Sequence, residues 1–506
     1  MTRRDALVAL SALTACARRA QFAVEEATFE SLQKAMAAGE FTCQTITMAY
    51  LDRIDALDKR TVNAVIEFNP DAMQIAAKMD EERKAGKLRG PLHGIPILIK
   101  DNIDTADKML TTAGSLALVG APTPKDSGIA AKLRDAGAVL LGKTNLSEWA
   151  NIRSTRSTSG WSGRGGQTRN PYCLDRNPSG SSSGSGAAAA ASFCAAAVGT
   201  ETDGSIVSPS SINGLAGIKP TVGLLSGAGI IPISHTQDTA GPMARTVRDA
   251  ALLLSAMSEK PLGNLQFDPN GMKGARLGVA RKLFGSNPEV AKLIENAMEA
   301  MKSLGAEIVD PAEIPNTGKY DDDEGLLLRY ELKAGLNKYL AARGGPIASL
   351  KDLILFNEKN RDKEMPYFGQ ESFVKAEALG PLNSKEYLDA LAKCAKLSRA
   401  EGIDAVLQKH KLDAIVAPTD SPAWPTDWLN GDHFTNSSST PPAVAGYPHV
   451  TVPAGYVRGL PVGVSFIGAA WSEVKLIRYA YAYEQATKLR KAPMFFPTLA
   501  DIKNFG

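Results

Sequence analysis

Two short glycine- and serine-rich stretches decide how this chain is interpreted: Gly180-Ser-Ser-Ser-Gly-Ser-Gly186 and Gly199-Thr-Glu-Thr-Asp-Gly-Ser205. The first serine of the first stretch is Ser181, and the serine that closes the second is Ser205. Upstream, the apolar run Gly94-Ile-Pro-Ile-Leu-Ile-Lys100 ends in a lysine. A lysine and two serines on glycine-flanked backbone can form a nucleophile and a proton relay without histidine.

Lys100 is the candidate general base. A serine must lose its proton as it attacks an amide carbonyl, and a lysine accepts that proton only when its amine is neutral. Burial at the end of an apolar strand disfavours the ammonium form, and lowering the pKa by three units costs about 4 kcal/mol. The alternative is a strand-end lysine whose amine reaches water.

The second stretch supplies consecutive backbone N–H groups at Thr202, Asp203, Gly204 and Ser205. Such a concave arrangement of N–H groups is suited to stabilising an oxyanion. Glycine–serine runs are also typical of flexible linkers. The first stretch, however, covers only residues 180–186 and opens a helix predicted over residues 187–197, so we expect an ordered loop at a site.

Apolar, β-branched runs alternate with helical patterns along the chain. A strand over 95–99 is followed by a helix that Ser127 caps and Gly137 ends, and then by a strand over 138–141. The alternation returns with strands near 277, 307, 414, 450 and 462 and helices over 288–303 and 473–488. A mostly helical segment over 320–412 is predicted to cover the sheet. The pattern predicts one large α/β domain with helices on the faces of its sheet.

Charge composition argues against a nucleic-acid-binding protein. The 506 residues include 57 basic and 54 acidic side chains, a net charge of +3, and no basic stripe with interleaved aromatic residues. This near-balance gives no electrostatic footprint for nucleic acid. The sequence contains no metal, flavin or nucleotide motif, so we expect neither a metal nor a cofactor. We also expect a monomer.

The N-terminus has the pattern of a targeting segment. Arg3 and Arg4 precede a short apolar stretch from Ala6 to Ala15, and Leu13-Thr-Ala-Cys16 resembles a bacterial lipobox. We therefore expect residues 1–20 to be a signal segment, with Cys16 a candidate for lipidation and membrane tethering. The enzyme would then be exported, periplasmic or lipid-anchored. The alternative is a frayed helix on a cytoplasmic protein.

Four further cysteines are widely scattered in the sequence: Cys43, Cys173, Cys194 and Cys394. None forms a C-x-x-C pair, so zinc and redox motifs are absent from the sequence. A disulfide that uses Cys43 or Cys173 stays open, whereas Cys194 lies in the alanine-rich run and is interpreted as a small core residue.

The stretch from Gly180 to Pro209, with the lysine-bearing Gly-Ile-Pro segment, resembles the amidase signature family. The resemblance implies a single-domain fold over residues 22–506, with a central mixed β-sheet covered by helices on both faces. It implies that Ser205 is the acylated nucleophile, that Ser181 is a bridging serine behind a cis peptide bond, and that Lys100 is the base. The N–H groups of Thr202, Asp203 and Gly204 would form the oxyanion hole.

Further segments resemble the bacterial peptide amidases of that family, among them Gly160-Trp-Ser-Gly-Arg-Gly-Gly-Gln-Thr-Arg-Asn-Pro-Tyr172. This resemblance implies release of ammonia from the C-terminal amide of peptides. The chain carries Ile206-Val207 where many amidases have Ile-Arg. Without that arginine the site lacks a natural anion clamp, which argues against free amino acids as substrates. Amidases of other small, aryl or fatty amides stay open as the alternative.

Six more residues are candidates for contact with a peptide or small-molecule amide. Trp161 and Trp424 are predicted to line an apolar pocket, and Trp149 is either a third pocket residue or an ordinary core aromatic. Arg164 and Gln167 are candidates for contact with the substrate backbone. Ser182 is expected either at the substrate or in support of the loop.

Three other functions compete with the amidase interpretation. Gly180-Ser-Ser-Ser-Gly184 fits the nucleophile elbow of an α/β-hydrolase with Ser182 as nucleophile and His449 as base, although Asn177-Pro-Ser precedes it instead of a strand. Membership of a transamidation complex that works on charged tRNA is opposed by the balanced charge. A non-catalytic solute-binding lipoprotein would explain the N-terminus but gives no reason for Lys100, Ser181 and Ser205.

Overall fold

The computed structural model describes residues 22–120 and 122–502, so the predicted signal segment and Cys16 lie outside the described residues. Thirteen strands are found there: β1 (Val65–Phe68), β2 (Pro96–Lys100), β3 (Val139–Thr144), β4 (Trp161–Ser162), β5 (Gly166–Gln167), β6 (Ala196–Glu201), β7 (Ala216–Lys219), β8 (Thr239–Ala244), β9 (Arg276–Val279), β10 (Glu307–Val309), β11 (Ala414–Pro418), β12 (His449–Val457) and β13 (Leu460–Ile467).

Eleven of these strands form one mixed sheet in the order β1-β3-β2-β6-β8-β7-β12-β13-β11-β9-β10. Strands β3, β2 and β6 run parallel, as do β10, β9 and β11, and the strands between the two groups pair antiparallel. The remaining two strands, β4 and β5, pair as a small separate hairpin. The ends of β2 and β6, which are neighbours in the sheet, carry Lys100 and Glu201.

Helices flank this sheet. They are α1 (Phe29–Ala37), α2 (Cys43–Leu57), α3 (Ala72–Lys84), α4 (Gly128–Asp135), α5 (Ser183–Ala190), α6 (Val207–Ile212), α7 (Val247–Met257), α8 (Pro288–Ser303), α9 (Asp321–Arg343), α10 (Leu350–Lys359), α11 (Arg361–Glu364), α12 (Glu371–Glu377), α13 (Lys385–Ser398), α14 (Asp404–His410), α15 (Thr440–Ala445) and α16 (Glu473–Thr487). Helix α5 packs on β2, β3, β6 and β8, which are four adjacent strands of the sheet.

Several predicted elements are confirmed because local chemistry fixes their ends. Ser127 caps α4 by accepting a hydrogen bond from the N–H of Ala130 at 3.0 Å. Asn287 caps α8, whose first residue is a proline, and the helix covers the predicted range 288–303. The segment over 320–412 is helical, as predicted, in α9 to α14. The α/β fold class is confirmed.

The alanine-rich run differs from its prediction. Helix α5 ends at Ala190, Ser192 adopts a φ of +57°, and β6 begins at Ala196, so the helix predicted over 187–197 is wrong in its second half. Arg245 stabilises this reversal, since its Nη1 donates to the carbonyls of Ala189 and Cys194 at 2.8 Å each. Pairing with β2 and β8 outweighs the helical preference of alanine in β6.

The four cysteines of the described residues answer the question of a disulfide. Cys43, Cys173, Cys194 and Cys394 are all buried free thiols, so the disulfide left open for Cys43 or Cys173 does not form in this structure. Cys194 belongs to the main apolar core, as predicted. Within residues 22–120 and 122–502, no helix has both the length and the apolar character needed to cross a bilayer.

Candidate active site

Lys100 ends β2 with its side chain fully buried. Its Nζ lies 2.8 Å from Ser181 Oγ, 3.1 Å from Ser182 Oγ and 2.9 Å from Thr200 Oγ1. Burial disfavours the ammonium form and lowers the pKa of Lys100 to about 7, although the carboxylates of Asp238 and Glu201 oppose the shift. Near neutral pH a large share of molecules therefore carries a neutral amine that can take a proton from Ser181.

The loop that carries Ser181 is fixed on β6. The peptide bond between Gly180 and Ser181 is cis, and Ser181 is fully buried. Ser182 Oγ accepts a hydrogen bond from the Thr200 N–H at 3.1 Å and donates to the Thr200 carbonyl at 3.0 Å. The Ser182 N–H donates to the carbonyl of Ser205 at 3.2 Å. These bonds hold both serine-bearing segments over the end of β6.

Ser205 lies in the turn between β6 and α6 and is partly exposed, unlike Ser181. Gly204 precedes it with a φ of +79°, a left-handed conformation that favours glycine. In the described part of the chain, the N–H groups of Asp203, Gly204 and Ser205 have no protein acceptor. They are thus available to a ligand in front of Ser205, as the predicted oxyanion hole requires.

Three carboxylates fix this turn, of which Glu201 is fully buried. Asp238 accepts the Thr202 hydroxyl at 2.6 Å, and Glu201 accepts the N–H groups of Ile206 and Val207 at 2.7 and 3.0 Å. Asp203 accepts hydrogen bonds from the hydroxyls of Ser439 and Thr440. Since the residues on both sides of Gly204 and Ser205 are tied by these bonds, the N–H groups of the turn are held in place before a substrate arrives.

A pocket of about 280 Å³ opens in front of Ser205 and Gly180. Trp424, Phe434, Leu328 and Ile233 supply its apolar surface. Its ionisable lining residues are Asp203, Asp420 and Asp432, and none of its lining residues, all within the described ranges, is a lysine, an arginine or a histidine. Burial raises the pKa of all three carboxyls, that of Asp420 to about 7.

Of the six residues predicted to contact substrate, only Trp424 lines this pocket, where its indole N–H donates to Asp432 at 3.1 Å. The others are engaged with protein groups. Trp161 packs edge-on against Tyr367 and Phe368. Arg164 pairs with Glu67 and lies 3.5 Å from Asp101, and Gln167 donates to the Ser159 carbonyl at 2.9 Å.

Ala150 and Asn151 form a part of the pocket wall that was not predicted from the sequence. Trp149, Ala150 and Asn151 have φ values of +50°, +53° and +70°, a rare conformation for three successive residues other than glycine. Ala150 and Asn151 line the pocket, whereas Trp149 packs in the core on Phe373. Asn151 Nδ2 donates to Ser159 Oγ at 2.9 Å, and its buried Oδ1 has no hydrogen-bond partner among the described residues. Asparagine's tolerance of this conformation is the only signal in the sequence.

The residues of the competing hydrolase mechanism do not meet. The hydrogen bonds of Ser182 join it to Lys100, Thr200 and Ser205. His449 is buried in β12 with its Nε2 2.5 Å from Ser465 Oγ, and burial lowers its pKa to about 3. The described residues contain no group of His, Cys, Asp and Glu side chains arranged for a metal ion.

Lys100 thus contacts a serine that follows a cis peptide bond, and the loop of that serine is bonded to the turn of Ser205, which lines the pocket. Residues 45–477 match the family model described as Amidase. The chain belongs to the amidase signature family. It is therefore an amidase, a hydrolase that acts on amide C–N bonds, and the Ser–cis-Ser–Lys mechanism is typical of this family.

Relatives of this amidase cover nearly its whole length. The peptide amidase of Stenotrophomonas maltophilia is 50% identical and superposes with a TM-score of 0.89 over 93% of this chain and 99% of that chain. A probable amidase of Arabidopsis thaliana is 42% identical over 94% of this chain and 92% of its own length. A glutamyl-tRNA(Gln) amidotransferase component from Alkalilimnicola ehrlichii is 34% identical over 94% of this chain and all of its own.

Proposed function

We propose that this amidase hydrolyses the C-terminal amide of peptides to the acid and ammonia, through an acyl-enzyme on Ser205. The observation that carries the mechanism is the 2.8 Å contact between Lys100 Nζ and Ser181 Oγ, made by a lysine whose pKa is lowered to about 7. The 50% identity to a peptide amidase supports the choice of substrate.

The first half of the reaction acylates Ser205. Neutral Lys100 takes the proton of Ser181, which takes the proton of Ser205 as Ser205 Oγ attacks the amide carbon. The negative charge that develops on the carbonyl oxygen is stabilised by the N–H groups of the turn at Asp203 and Gly204. The proton then returns through Ser181 to the leaving nitrogen, which departs as ammonia.

The second half uses the same groups with water as nucleophile. Water gives its proton through Ser181 to Lys100 and attacks the ester carbon, and the ester bond to Ser205 Oγ breaks as the serine recovers a proton. The products are the peptide acid and the free enzyme. No group outside Lys100, Ser181, Ser205 and the turn is needed for the proton balance.

The charge of the pocket supports a neutral substrate. Asp203, Asp420 and Asp432 line it without a basic side chain among its lining residues, so a free carboxylate next to the scissile amide would find no cationic partner there. A peptide amide carries no such carboxylate, because its C-terminus is itself the amide. Free amino-acid side-chain amides, with their α-carboxylates, fit this pocket poorly.

Ammonia release across a matched substrate panel tests the proposal. The panel contains peptide amides, free amino-acid amides, fatty amides, aryl amides and glutamine, each with wild type and with Ser205→Ala. We expect the highest kcat/KM for peptide amides and labelling of Ser205 by a fluorophosphonate, located by mass spectrometry. A higher kcat/KM for fatty or aryl amides would contradict the proposed peptide-amide substrate. A label on Ser182 would contradict Ser205 as the nucleophile.

For localisation we propose export directed by residues 1–20, with Cys16 as the lipidated residue. The proposal rests on the sequence pattern of Arg3, Arg4 and the apolar stretch that follows. Cell fractionation of wild type and Cys16→Ala tests it. We expect wild type in the membrane fraction and the variant in the periplasm, and a full-length cytoplasmic protein would contradict export.

A further inference from the structure

An exposed apolar surface adjoins the pocket on the segment that follows β11. Phe434 lines the pocket and is 59% exposed, and its ring centroid lies 6.0 Å from that of Trp424. On the same segment Trp428 is 41% exposed and Leu429 is 82% exposed. Trp428 stacks on Tyr367, itself exposed, with centroids 4.6 Å apart. We call Tyr367, Trp428, Leu429 and Phe434 the aromatic patch.

The patch is joined to the pocket by hydrogen bonds as well as by Phe434. Trp428 Nε1 donates to Gln167 Oε1 at 2.9 Å, and Gln167 Nε2 donates to the carbonyl of Ser159 at 2.9 Å. Ser159 lines the pocket, and its N–H donates to Asp432 at 3.0 Å. Gln167 was predicted to contact the substrate backbone. In the structure it links the patch to the pocket.

The segment that bears the patch is held in one conformation. Asp427 accepts hydrogen bonds from the N–H groups of Leu429 and Asn430 at 2.9 and 3.0 Å, and its carboxylate lies 3.1 Å from His433 Nε2. These bonds, led by those of Asn430, lower the pKa of Asp427 well below its ordinary value. The Asp427 carbonyl accepts the Thr158 hydroxyl at 2.6 Å. The apolar side chains are therefore presented on ordered backbone.

Single exposed hydrophobic residues are common on protein surfaces, but the exposure of several of them on one segment needs an explanation. Each Å² of apolar surface left in water forgoes about 25 cal/mol, and contiguous apolar patches on a soluble protein mark interaction sites. The pocket volume of about 280 Å³ lies just below the range for small-molecule sites, about 300 to 1,000 Å³. It holds the residue that carries the amide, and the rest of a peptide must lie outside.

We propose that the aromatic patch binds apolar side chains of the substrate peptide upstream of the residue that carries the amide. The inference rests on the proposed function and adds to it a preference for longer peptide amides with apolar residues at these positions. The occupant follows from proximity to the pocket, because Phe434 lines the pocket and Trp428 is linked through Gln167 to the pocket residue Ser159. Tryptophan and tyrosine are also the side chains that supply large contact area at binding surfaces.

Kinetics with a length series test this inference. The substrates are an acetylated leucine amide and tetrapeptide amides that end in the same leucine amide, with either leucine or aspartate at the upstream positions. For wild type we expect kcat/KM about tenfold higher for the leucine tetrapeptide than for the aspartate tetrapeptide. In the double variant Trp428→Ala/Leu429→Ala we expect that ratio to fall to about one.

The control is Leu355→Ala, which removes a side chain that is 59% exposed on α10, outside the patch. We expect it to keep the wild-type ratio, and thermal unfolding of all variants verifies that they are folded. A ratio near one in wild type, or an unchanged ratio in the double variant, overturns the inference while peptide amides still serve as substrates. Hydrolysis of the acetylated amide without any hydrolysis of tetrapeptide amides overturns the proposed function as well.

Sedimentation with phosphatidylcholine–phosphatidylglycerol vesicles distinguishes the substrate from a lipid surface. The enzyme used lacks residues 1–20 so that lipidation does not contribute. We expect wild type and double variant to sediment equally little. Vesicle binding that the double variant loses, with an unchanged tetrapeptide ratio, would assign the patch to a membrane and overturn the inference.

Discussion

Ser182 donates its backbone N–H to the carbonyl of Ser205 at 3.2 Å, which joins the loop of the bridging serine directly to the turn of the nucleophile. The contact uses only backbone atoms, so replacement of either side chain by alanine leaves its donor and its acceptor in place. The relative position of the two segments can therefore be separated experimentally from the chemistry of their hydroxyls.

The first prediction compares three serine-to-alanine variants. Ser205→Ala and Ser181→Ala remove the nucleophile and the relay, and each is expected to lower kcat by at least about 10³-fold. Ser182→Ala keeps the backbone contact but leaves the Thr200 N–H and carbonyl without their hydroxyl partner. It should lower the free energy of unfolding by about 1–3 kcal/mol and kcat by a smaller factor. Equal loss of kcat in all three would contradict the assigned roles.

The second prediction concerns pH. The pKa of Lys100 is about 7, and the base acts only when deprotonated. Log kcat/KM for an uncharged peptide amide should rise with unit slope below pH 7 and level off above it. The measurement is a pH–rate profile in buffers of constant ionic strength. An activity that falls as pH rises from 6 to 7 would exclude Lys100 as the base.

The third prediction is that Lys100→Met stabilises the fold as it abolishes activity. The folded protein holds Lys100 with a pKa near 7 while the unfolded chain restores 10.5, so the unfolded state binds more protons between these values. The free energy of unfolding of the wild type therefore rises with pH between about 7 and 10.5, because the penalty for burying Lys100 shrinks. At pH 7 the penalty is on the order of 4 kcal/mol, offset in part by the hydrogen bonds that methionine cannot make.

Denaturant unfolding of both proteins from pH 7 to pH 9.5 measures that difference. The advantage of the methionine variant should shrink by about 1.4 kcal/mol for each unit of rising pH. Lys143 and Lys219, which are also fully buried, are common to both proteins and cancel. A difference that is independent of pH would show that Lys100 keeps an ordinary pKa.

The fourth prediction uses Gly204→Ala. Gly204 has a φ of +79°, which strains any other residue there, and a Cβ would lie 2.9 Å from Ser439 Oγ, so either the turn or the Ser439 side chain must shift. We expect kcat to fall about 10²-fold or more because the N–H groups move away from the oxyanion. Gly223→Ala is the matched control, with a φ of +90° and no atom within 4 Å of its Cβ. It should cost about 1–2 kcal/mol in stability and leave kcat unchanged.

The site could be predicted from the sequence where chemistry depends on local backbone. Lys100, Ser181 and Ser205 each sit in a short motif whose glycines and apolar runs set the conformation, and the structure brings Lys100 and Ser181 into contact. The wall residues Asp420, Asp432 and Ser439 belong to no such motif. They reach the pocket because β11 and the segment after it fold back over the turn at Ser205, a long-range relation that local patterns do not encode.

Strands β6, β7 and β8 were not predicted because they too depend on long-range contacts. Strands β6, β7 and β8 consist of Ala196–Glu201, Ala216–Lys219 and Thr239–Ala244, which are poor in β-branched and aromatic residues. They are strands because each is buried between neighbours in the sheet. Small residues there admit α5 close to the sheet. Gly199, for example, lies where an added Cβ would meet Ser182 Oγ at 2.6 Å.

The acidic lining of the pocket has a consequence for the end of the catalytic cycle. Hydrolysis converts a neutral carboxamide into a carboxylate while it still faces Asp203, Asp420 and Asp432. Each turnover thus creates an anion next to three carboxyl groups, with no basic side chain among the lining residues of the pocket. The pocket that admits the substrate expels the product, more strongly as Asp420 ionises above pH 7. This amidase should therefore be only weakly inhibited by the acid it makes, and should be a poor catalyst of amide synthesis from that acid.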